Sequence, residues 1–551
     1  METTDHATEG DPLKRGEDGL ETVAAPSGAE QKMKKKKSCK EILAFVRANH
    51  WRTAVFFFSL FLCLTIVFAF SFILPCPVRP QYLISWNRSF SHAETYDFLA
   101  VESASEDQVM DVTFVVKMSE SSKNCTDEGL PSPCLFVIAV DGTDGETLWE
   151  RPLRPEFHWA QCGLQTSESS RTWDCLLSHS DQISALDKKT GEIKWQCPHP
   201  PGFRSVRPVL STPDLDGDAV GDVALVRTNN ATTQLVFLSG KNGIQIGSSV
   251  SLSTSGTQKH LLQRTPKSSR YVVLQQDTGL YGLALRRIAA KAKAGMEKVL
   301  RQDDRWEKNA NPTSGLIPIY KSDSVRQLLR TKEKDDQSNL LLVTENHVVL
   351  IDGKTLQLLW KYNTTTVLSE PYFGHFNKDG LLDVVIEEDV GNNNKRIVII
   401  DGKSGLLLWE YTLLAASNSP RPATIHTSNF VSIFVFWGTE IPAAATTIPA
   451  ISQRHSFMLH PVYPQVLLKS TNVVDHIVAF TATLLERGRH AAYFLLTGPA
   501  TEGVQGTVIL RKRKLKQDVP QSKVLSVGGV RPSEEDEDIK EAFNRLRFSD
   551  N

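Results

Sequence analysis

The stretch AVDGTDGETLW, residues 139–149, decides the fold because its pattern returns along the chain. Further copies are ALDKKTGEIKW at 185–195, LIDGKTLQLLW at 350–360 and IIDGKSGLLLW at 399–409. In each copy an apolar segment leads to an aspartate, and a tryptophan follows that aspartate by eight residues. A degenerate copy, FLSGKNGIQIGS at 237–248, keeps the turn glycines but has neither the aspartate nor the tryptophan. Adjacent copies lie 46 and 49 residues apart, measured between tryptophans.

Each copy predicts a β-hairpin, because Asp and Gly tolerate the backbone of a tight turn between two apolar strands. A lone hairpin cannot bury its apolar face, so the units must stack. A closed ring of four-stranded blades has this period, and a tryptophan could wedge between neighbouring blades. The sequence therefore predicts an all-β propeller of seven or eight blades over residues 91–515. Residues 286–307 are instead predicted to form an exposed, charged helix inserted in the ring.

Residues 54–74, AVFFFSLFLCLTIVFAFSFIL, are twenty-one residues without a charge. As a helix they would span about 31 Å, the thickness of a bilayer core, which predicts one transmembrane helix. A buried core helix and a cleaved signal peptide are the alternatives; a signal peptide does not normally follow fifty-three residues. Lysines 34–37 precede the helix, so the N-terminus is predicted to be cytoplasmic and the rest to lie outside, a type II topology with a signal anchor.

Two further patterns agree with this topology. All glycosylation triplets lie beyond the predicted anchor, at Asn87, Asn124, Asn230 and Asn363. Six of the eight cysteines lie there too, an even number suited to disulfides: Cys76, Cys125, Cys134, Cys162, Cys175 and Cys197. Fifteen pairings are possible. Short loops make Cys125–Cys134 and Cys162–Cys175 the first guesses, with six buried thiols as the alternative.

The remaining segments are predicted from composition. Residues 1–53 are predicted to be a disordered cytoplasmic tail whose lysine cluster lies against anionic lipid. Ser38 beside that cluster is a candidate for phosphorylation, and Cys39 is a candidate for palmitoylation. Residues 75–90 are predicted to form a stalk. Residues 516–551 are predicted to form a disordered tail, since a basic block at residues 511–516 followed by an acidic run at residues 534–538 favours a solvated segment.

Charge and motif patterns exclude several functions. The 551 residues carry 62 basic and 63 acidic side chains, which argues against a nucleic-acid binder. Two Gly-Lys-Ser/Thr tripeptides, at Gly353 and Gly402, imitate part of a phosphate-binding loop. Both lack the earlier glycine and lie in a predicted hairpin turn. The chain has no G-x-S-x-G or H-E-x-x-H pattern, so a non-catalytic protein is predicted.

One loop has the pattern of a metal site. In DLDGDAVGD, residues 214–222, carboxylates occupy positions 1, 3, 5 and 9, and the carbonyl of position 7 can add a ligand. The predicted ligands are Asp214, Asp216, Asp218, Val220 through its carbonyl, and Asp222. Oxygen ligands favour calcium. A solvated Asp-Gly turn is the alternative.

A second loop, HFNKDGLLD at residues 375–383, has the same nine-residue frame. Asn377, Asp379 and Asp383 take positions 3, 5 and 9, and His375 takes position 1. Imidazole is a poor calcium ligand. This loop is therefore predicted to be a degenerate metal loop that persists as a turn.

These loops resemble the FG-GAP repeats of integrin α chains, and the Asp-Gly…Trp hairpins resemble quinoprotein-type propeller blades. Because it combines these repeats with a predicted anchor and a basic tail, the chain resembles, over nearly its whole length, the family with sequence similarity 234, in particular its A-type members. The resemblance implies a single-pass membrane protein and carries over the calcium role to the first loop, but it implies no defined activity.

The expected function is therefore a calcium-stabilised propeller that binds a protein partner at the cell surface or in the secretory pathway. The alternative function is a quality-control or glycan-processing component in the lumen of the endoplasmic reticulum. The expected location is the plasma membrane or cell surface, with the endoplasmic reticulum or Golgi as the alternative location.

Overall fold

The computed structural model describes residue 51, residues 54–69 and residues 85–549, the last range with gaps at 103–108, 120–123, 165–174, 230–231, 253–258, 277–278, 296–299, 322–323, 332–337, 416–419, 442–453, 486–489, 502 and 530–533. The chain divides into two units, Met1–Arg79 and Pro80–Asn551. Predictions on the lysine cluster, Ser38, Cys39, Cys76 and Asn230 lie outside the described residues.

In the first unit, residues 54–69 form a helix, α1, whose side chains are exposed. Within the residues that the structure describes, none of the helices has the length and apolar character needed to traverse a bilayer. Residues 70–74 of the predicted anchor are outside those residues, so the transmembrane helix stays a prediction.

The second unit is built from antiparallel four-stranded blades, of which the described residues contain eight. In chain order the strands are β1 (Trp86–Glu102), β2 (Asp111–Met118), β3 (Cys134–Val140), β4 (Thr147–Leu153), β5 (Phe157–Cys162), β6 (Cys175–His179), β7 (Gln182–Leu186), β8 (Ile193–Pro198), β9 (Arg204–Ser211), β10 (Val223–Thr228), β11 (Thr233–Leu238), β12 (Gln245–Ser251), β13 (His260–Arg264), β14 (Arg270–Gln276), β15 (Gly279–Ala284), β16 (Ile317–Tyr320), β17 (Val325–Arg330), β18 (Leu340–Thr344), β19 (His347–Ile351), β20 (Leu358–Asn363), β21 (Tyr372–Gly374), β22 (Asp383–Gly391), β23 (Asn394–Ile400), β24 (Leu407–Leu414), β25 (Ala423–His426), β26 (Ser432–Gly438), β27 (Arg454–Leu459), β28 (Val466–Val474), β29 (Ile477–Leu484), β30 (Ala491–Thr497), β31 (Gly506–Lys514) and β32 (Lys523–Ser526).

The long first strand closes the ring. Its second half opens blade 1 with β2, β3 and β4, and its first half completes blade 8 beside β31. Blades 2 to 7 follow in chain order, each beginning with a fresh group of four strands, and β32 adds a fifth strand to blade 7. The first strands lie innermost around a channel, as the contacts of β5 with β9 and of β25 with β29 show. The predicted stalk over residues 75–90 is therefore wrong from Trp86 onward, because these residues are an outer strand of the propeller.

Tryptophans join successive blades, as the hairpin repeat predicts. Each lies on the outer side of one blade, and its indole N–H donates to a carbonyl in a turn of the next blade. The pairs are Trp86 with Gly142 (3.3 Å), Trp149 with Lys188 (2.8 Å), Trp195 with Gly240 (3.0 Å), Trp306 with Gly353 (3.3 Å), Trp360 with Gly402 (2.8 Å) and Trp409 with Pro464 (2.8 Å). Buried indoles normally require such a partner.

The turn glycine of the repeat is needed for this docking. Gly191 has φ 67°. A Cβ on it would lie 2.4 Å from Cε3 of Trp149, a distance at which atoms overlap. Glycine therefore both permits the turn and lets the ring of the preceding blade lie flat against its backbone.

Blade 4 keeps the hairpin turn, with Asn311 in the place of the aspartate, but it has no tryptophan eight residues later, and the segment after β15 supplies one. The predicted single exposed helix at residues 286–307 is wrong, since the segment contains two short helices, α2 (Leu285–Ala292) and α3 (Asp304–Glu307). Ile288 and Ala292 of α2 are fully buried, as is Trp306 of α3. Trp306 thus provides from an insertion the contact that other blades provide from their outer strand.

The predicted disordered tail at residues 516–551 is also wrong. Strand β32 pairs with β28, and the helix α4 (Asp536–Arg545) buries Ile539 and Phe543 against the cores of blades 7 and 8. The basic residues 511–514, which precede this tail, belong to β31. Its Lys512 is fully buried and donates from Nζ to the carbonyl of Thr143 at 2.8 Å.

Candidate functional site

The first predicted metal loop connects β9 to β10 in blade 3. Because the strands of a blade are antiparallel, this loop emerges at the same end of the ring as the hairpin turns that carry the Asp-Gly repeat. We call this end the turn face. The second loop connects β21 to β22 of blade 6 and also lies on the turn face.

Three of the predicted ligands converge in the first loop. One carboxylate oxygen from each of Asp214, Asp216 and Asp218 lies within 4.8 Å of the others. Among the described residues they form the sole group of three or more His, Cys, Asp and Glu side chains with this spacing. The carboxylate of Asp214 accepts the N–H groups of Gly217 at 2.6 Å and Ala219 at 2.9 Å. The loop backbone therefore folds around the position-1 side chain.

Asp222, also predicted as a ligand, lies outside this group. It is fully buried, and its two carboxylate oxygens accept the N–H of Leu215 at 2.6 Å and of Gly240 at 3.0 Å. Burial raises the pKa of this carboxyl to about 6, although both N–H groups act to lower it. Asp222 therefore ties the loop to the hairpin turn of its own blade.

The second loop repeats these bonds. Asp383 is fully buried and accepts the N–H of Phe376 at 2.7 Å and of Gly402 at 2.9 Å. Asp379 accepts the position-7 N–H of Leu381 at 2.9 Å, as Asp218 does for Val220 at 2.8 Å. The two loops are therefore structural copies.

The two loops carry glycine at different positions. Positions 4 and 6 have positive φ in both loops: 84° at Gly217 and 67° at Ala219, against 62° at Lys378 and 81° at Gly380. Either position therefore accepts glycine. Glycine lies at position 4 of the first loop and at position 6 of the second, and the backbone conformation is the same in both.

The loops differ at position 1. Nδ1 of His375 lies 2.7 Å from the carbonyl oxygen of Leu381 at position 7, the carbonyl predicted to bind a metal in such a loop. An imidazole N–H donated to this oxygen takes the place that a cation would hold. In the first loop the corresponding pair is the Asp214 carboxylate and the Val220 carbonyl. Asn377 donates from Nδ2 to Asp401 at 2.8 Å, so its side chain is bonded to the hairpin turn of its own blade.

Asp222 and Asp383, at position 9 of the two loops, each accept the backbone N–H of a glycine in the hairpin turn. The same bond occurs in blades without a metal loop, and sequence reasoning missed it. Asp111 accepts the N–H of Gly142 at 3.4 Å, and Asn339 accepts that of Gly353 at 3.2 Å. In each case the acceptor is at or next to the start of the second strand. The available signal was an Asp or Asn at or immediately before the start of an apolar strand, without the nine-residue frame of the two predicted metal loops.

The first-guess disulfides are both present. Cys125 pairs with Cys134 and Cys162 with Cys175. Cys197 forms no disulfide within the described residues, and its Sγ accepts from Nη2 of Arg227 at 3.4 Å. Of the predicted glycosylation sites, Asn87 and Asn363 are exposed on outer strands, and Asn124 is half-buried beside a disulfide.

A large cavity of about 2130 Å³ occupies the central channel. Arg421 crosses part of it, with Nη1 2.9 Å from Glu370 and Nη2 4.0 Å from Asp97. Desolvation by the channel wall and the nearby Arg421 lower the pKa of Arg207, another guanidinium in this cavity. Burial raises the pKa of Tyr372, which lines the same wall.

The fold and loops together define a closed, eight-bladed β-propeller with an acidic loop of metal-site type on one face. Residues 86–549 match the family model described as FAM234A/B beta-propeller. The chain is 36% identical to Protein FAM234A of Rattus norvegicus over 515 residues, 91% of this chain and 92% of that protein. It is 34% identical to Protein FAM234A of Homo sapiens over 513 residues, with the same two coverages. The chain belongs to the FAM234A/B β-propeller family.

Among solved structures, BamB from Moraxella catarrhalis aligns with a TM-score of 0.37 at 10% identity, covering 78% of this chain and all of that one.

Proposed function

We propose that this chain is a non-catalytic, single-pass type II membrane protein whose calcium-stabilised propeller binds a protein partner, at the cell surface or in the secretory pathway. Its relatives are described only as Protein FAM234A and Protein FAM234B, names that specify no reaction. The observation that carries the calcium part is the convergence of Asp214, Asp216 and Asp218 in a loop whose copy is bridged by an imidazole.

Calcium suits this loop for electrostatic reasons. Three carboxylates within 4.8 Å of one another repel, and a hard divalent cation bound by their oxygens offsets that repulsion. The Val220 carbonyl is the further proposed ligand, because the corresponding carbonyl of the second loop faces position 1. An affinity of about 10⁻⁴–10⁻³ M is expected of an extracellular module.

Partner binding is supported by the rigidity of the scaffold. The ring is closed by β1, and indole N–H bonds link successive blades, so loops on the turn face are presented in fixed positions. We further propose that the lysines at 34–37 bind anionic lipid on the cytoplasmic side.

Calcium binding is tested on the purified full-length chain by thermal unfolding with calcium or with chelator. Replacing Asp216 and Asp218 together with Ala should abolish the calcium response. Asp379→Ala in the second loop is the matched control and should leave the response intact. A double variant that responds to calcium like the wild type would refute the proposed site.

Location and partner binding need a second experiment. Surface biotinylation with endoglycosidase H digestion should find complex glycans on a cell-surface pool, whereas fully sensitive glycans would place the protein in the endoplasmic reticulum. Proximity labelling from the C-terminal end should then identify outer-side proteins rather than cytoplasmic ones. Labelling confined to cytoplasmic proteins would overturn the proposed topology.

A further inference from the structure

The central channel carries an excess of basic groups that the overall charge of the chain does not predict. The protein as a whole has a formal net charge of −1. The cavity wall, by contrast, holds two carboxylates, Asp97 and Glu370, and six basic side chains: Arg207, Lys259, Arg264, Arg270, Arg330 and Arg421. A channel with an excess of one sign of charge within low-dielectric walls attracts ligands of the opposite sign.

The two carboxylates are already engaged. Arg421 contacts both of them, at 2.9 Å from Glu370 and 4.0 Å from Asp97. Arg207, on the inner strand β9, lies within 4.0 Å of no carboxylate in the part of the chain that the structure describes; its polar contact is a 3.4 Å bond from Nη1 to the carbonyl of Ala160. Desolvation by the channel wall and the neighbouring Arg421 lower the pKa of Arg207, whose side chain is exposed to the channel.

The cavity also exposes apolar side chains. Leu368 is 46% exposed, Leu381 39% and Phe430 67%, and all three line the channel with the basic groups. A sulfated glycan would neutralise the charge but offers no apolar groups to cover these residues. The cavity, at about 2130 Å³, also exceeds the roughly 300–1,000 Å³ of a typical small-molecule site.

We propose that the channel binds an acidic peptide segment of a partner protein, with aromatic or aliphatic residues among its acids and one carboxylate against Arg207. This inference rests on the proposed partner-binding function and names the site and the chemistry of the partner. Charge-assisted bonds to guanidinium groups supply orientation, and apolar contacts with Leu381 and Phe430 supply buried area.

The probe is a fluorescein-labelled peptide in which glutamates alternate with phenylalanine and leucine, measured by fluorescence anisotropy against the purified full-length chain. Arg207→Gln should weaken its binding by about tenfold or more, because a hydrogen bond between two charged groups is lost. Arg204→Gln removes the same charge from the same strand outside the cavity lining, and should change affinity by less than about twofold.

A second measurement does not depend on the folding of a variant. The same peptide with glutamine in place of every glutamate should bind the unaltered chain much more weakly, and added salt should weaken only the acidic peptide. Equal binding of the two peptides, or an undiminished affinity in Arg207→Gln, would overturn the proposal. So would stronger, Arg207-dependent binding of a heparin oligosaccharide. Proximity labelling separates this failure from that of the proposed function. If the wild type and Arg207→Gln label the same outer-side partner, the partner-binding function stands and the channel is not its binding site.

Discussion

Exchanging the position-1 residues of the two copied loops should move the calcium response between blades. In the first loop Asp214 lies with two further carboxylates, and in the second His375 bridges to the Leu381 carbonyl at 2.7 Å. Asp214→His should therefore abolish calcium stabilisation. His375→Asp should add a second, weaker response, because position 3 of that loop is the uncharged Asn377.

The size of the effect follows from mass action. At 10 mM calcium a site with a dissociation constant of about 10⁻⁴ M stabilises the folded state by about 2.7 kcal/mol, or about 3 °C in Tm for a domain of this size. Without calcium, His375→Asp should cost about 1 kcal/mol, since it removes the imidazole bond to Leu381.

The assay is thermal unfolding of the purified full-length chain in 10 mM calcium and in chelator. His158→Asp places a new carboxylate on an exposed strand residue far along the chain from both loops, and controls for surface charge. An Asp214→His variant that keeps the wild-type calcium shift would refute the assignment of the loop. A His375→Asp variant whose response equals that of the control would show that backbone similarity alone does not create a site.

Two other predictions concern the repeat. Trp360→Phe removes the 2.8 Å bond to Gly402 between blades 5 and 6, and should lower the free energy of unfolding by about 1–3 kcal/mol. Thermal unfolding measures this loss, and Trp51→Phe at an exposed site is the control that should leave Tm unchanged. An unchanged Tm in Trp360→Phe would contradict the role of this tryptophan in joining the two blades. Burial raises the pKa of Asp383 to about 6, above its unfolded value, so its stabilising contribution is present below about pH 4 and declines as pH rises through 6. Asp383→Asn should consequently cost up to about 2 kcal/mol less at pH 7.5 than at pH 4 in urea unfolding, and an equal cost at both would disprove the shift.

The sequence predicts blades where the hairpin repeat is intact, because turn, strand and tryptophan are all local. The prediction fails where the tryptophan that contacts a turn comes from a segment outside the hairpin repeat. Trp306 reaches its turn from an insertion between β15 and β16, and Trp86 lies on a strand that pairs with β31 more than four hundred residues away. No local pattern reports such a pairing, so the sequence alone predicts a stalk and a disordered tail for the terminal segments.

Charge composition misled the prediction at the C-terminal end for a related reason. A basic block followed by an acidic run is typical of a solvated segment. Here, however, Lys512 is buried with a backbone partner, and Ile539 and Phe543 recur on one face of α4. The four-residue spacing of those two apolar residues was the available signal for a packed helix.

Within the candidate site, counting carboxylates cannot separate a ligand from a structural acceptor. Asp222 and Asp218 look alike in the sequence, yet one binds two backbone N–H groups in the core and the other faces its loop neighbours. Comparing the two copies of the loop within this chain distinguishes the candidate ligands from the structural acceptor. Position 9 keeps its bonds in both loops, so its aspartate serves the fold of the blade whether or not a metal binds. Position 1 changes from carboxylate to imidazole, and in the second loop His375 bonds to the carbonyl that we propose as a calcium ligand in the first. Position 1 is therefore the residue whose exchange tests the proposed site most directly.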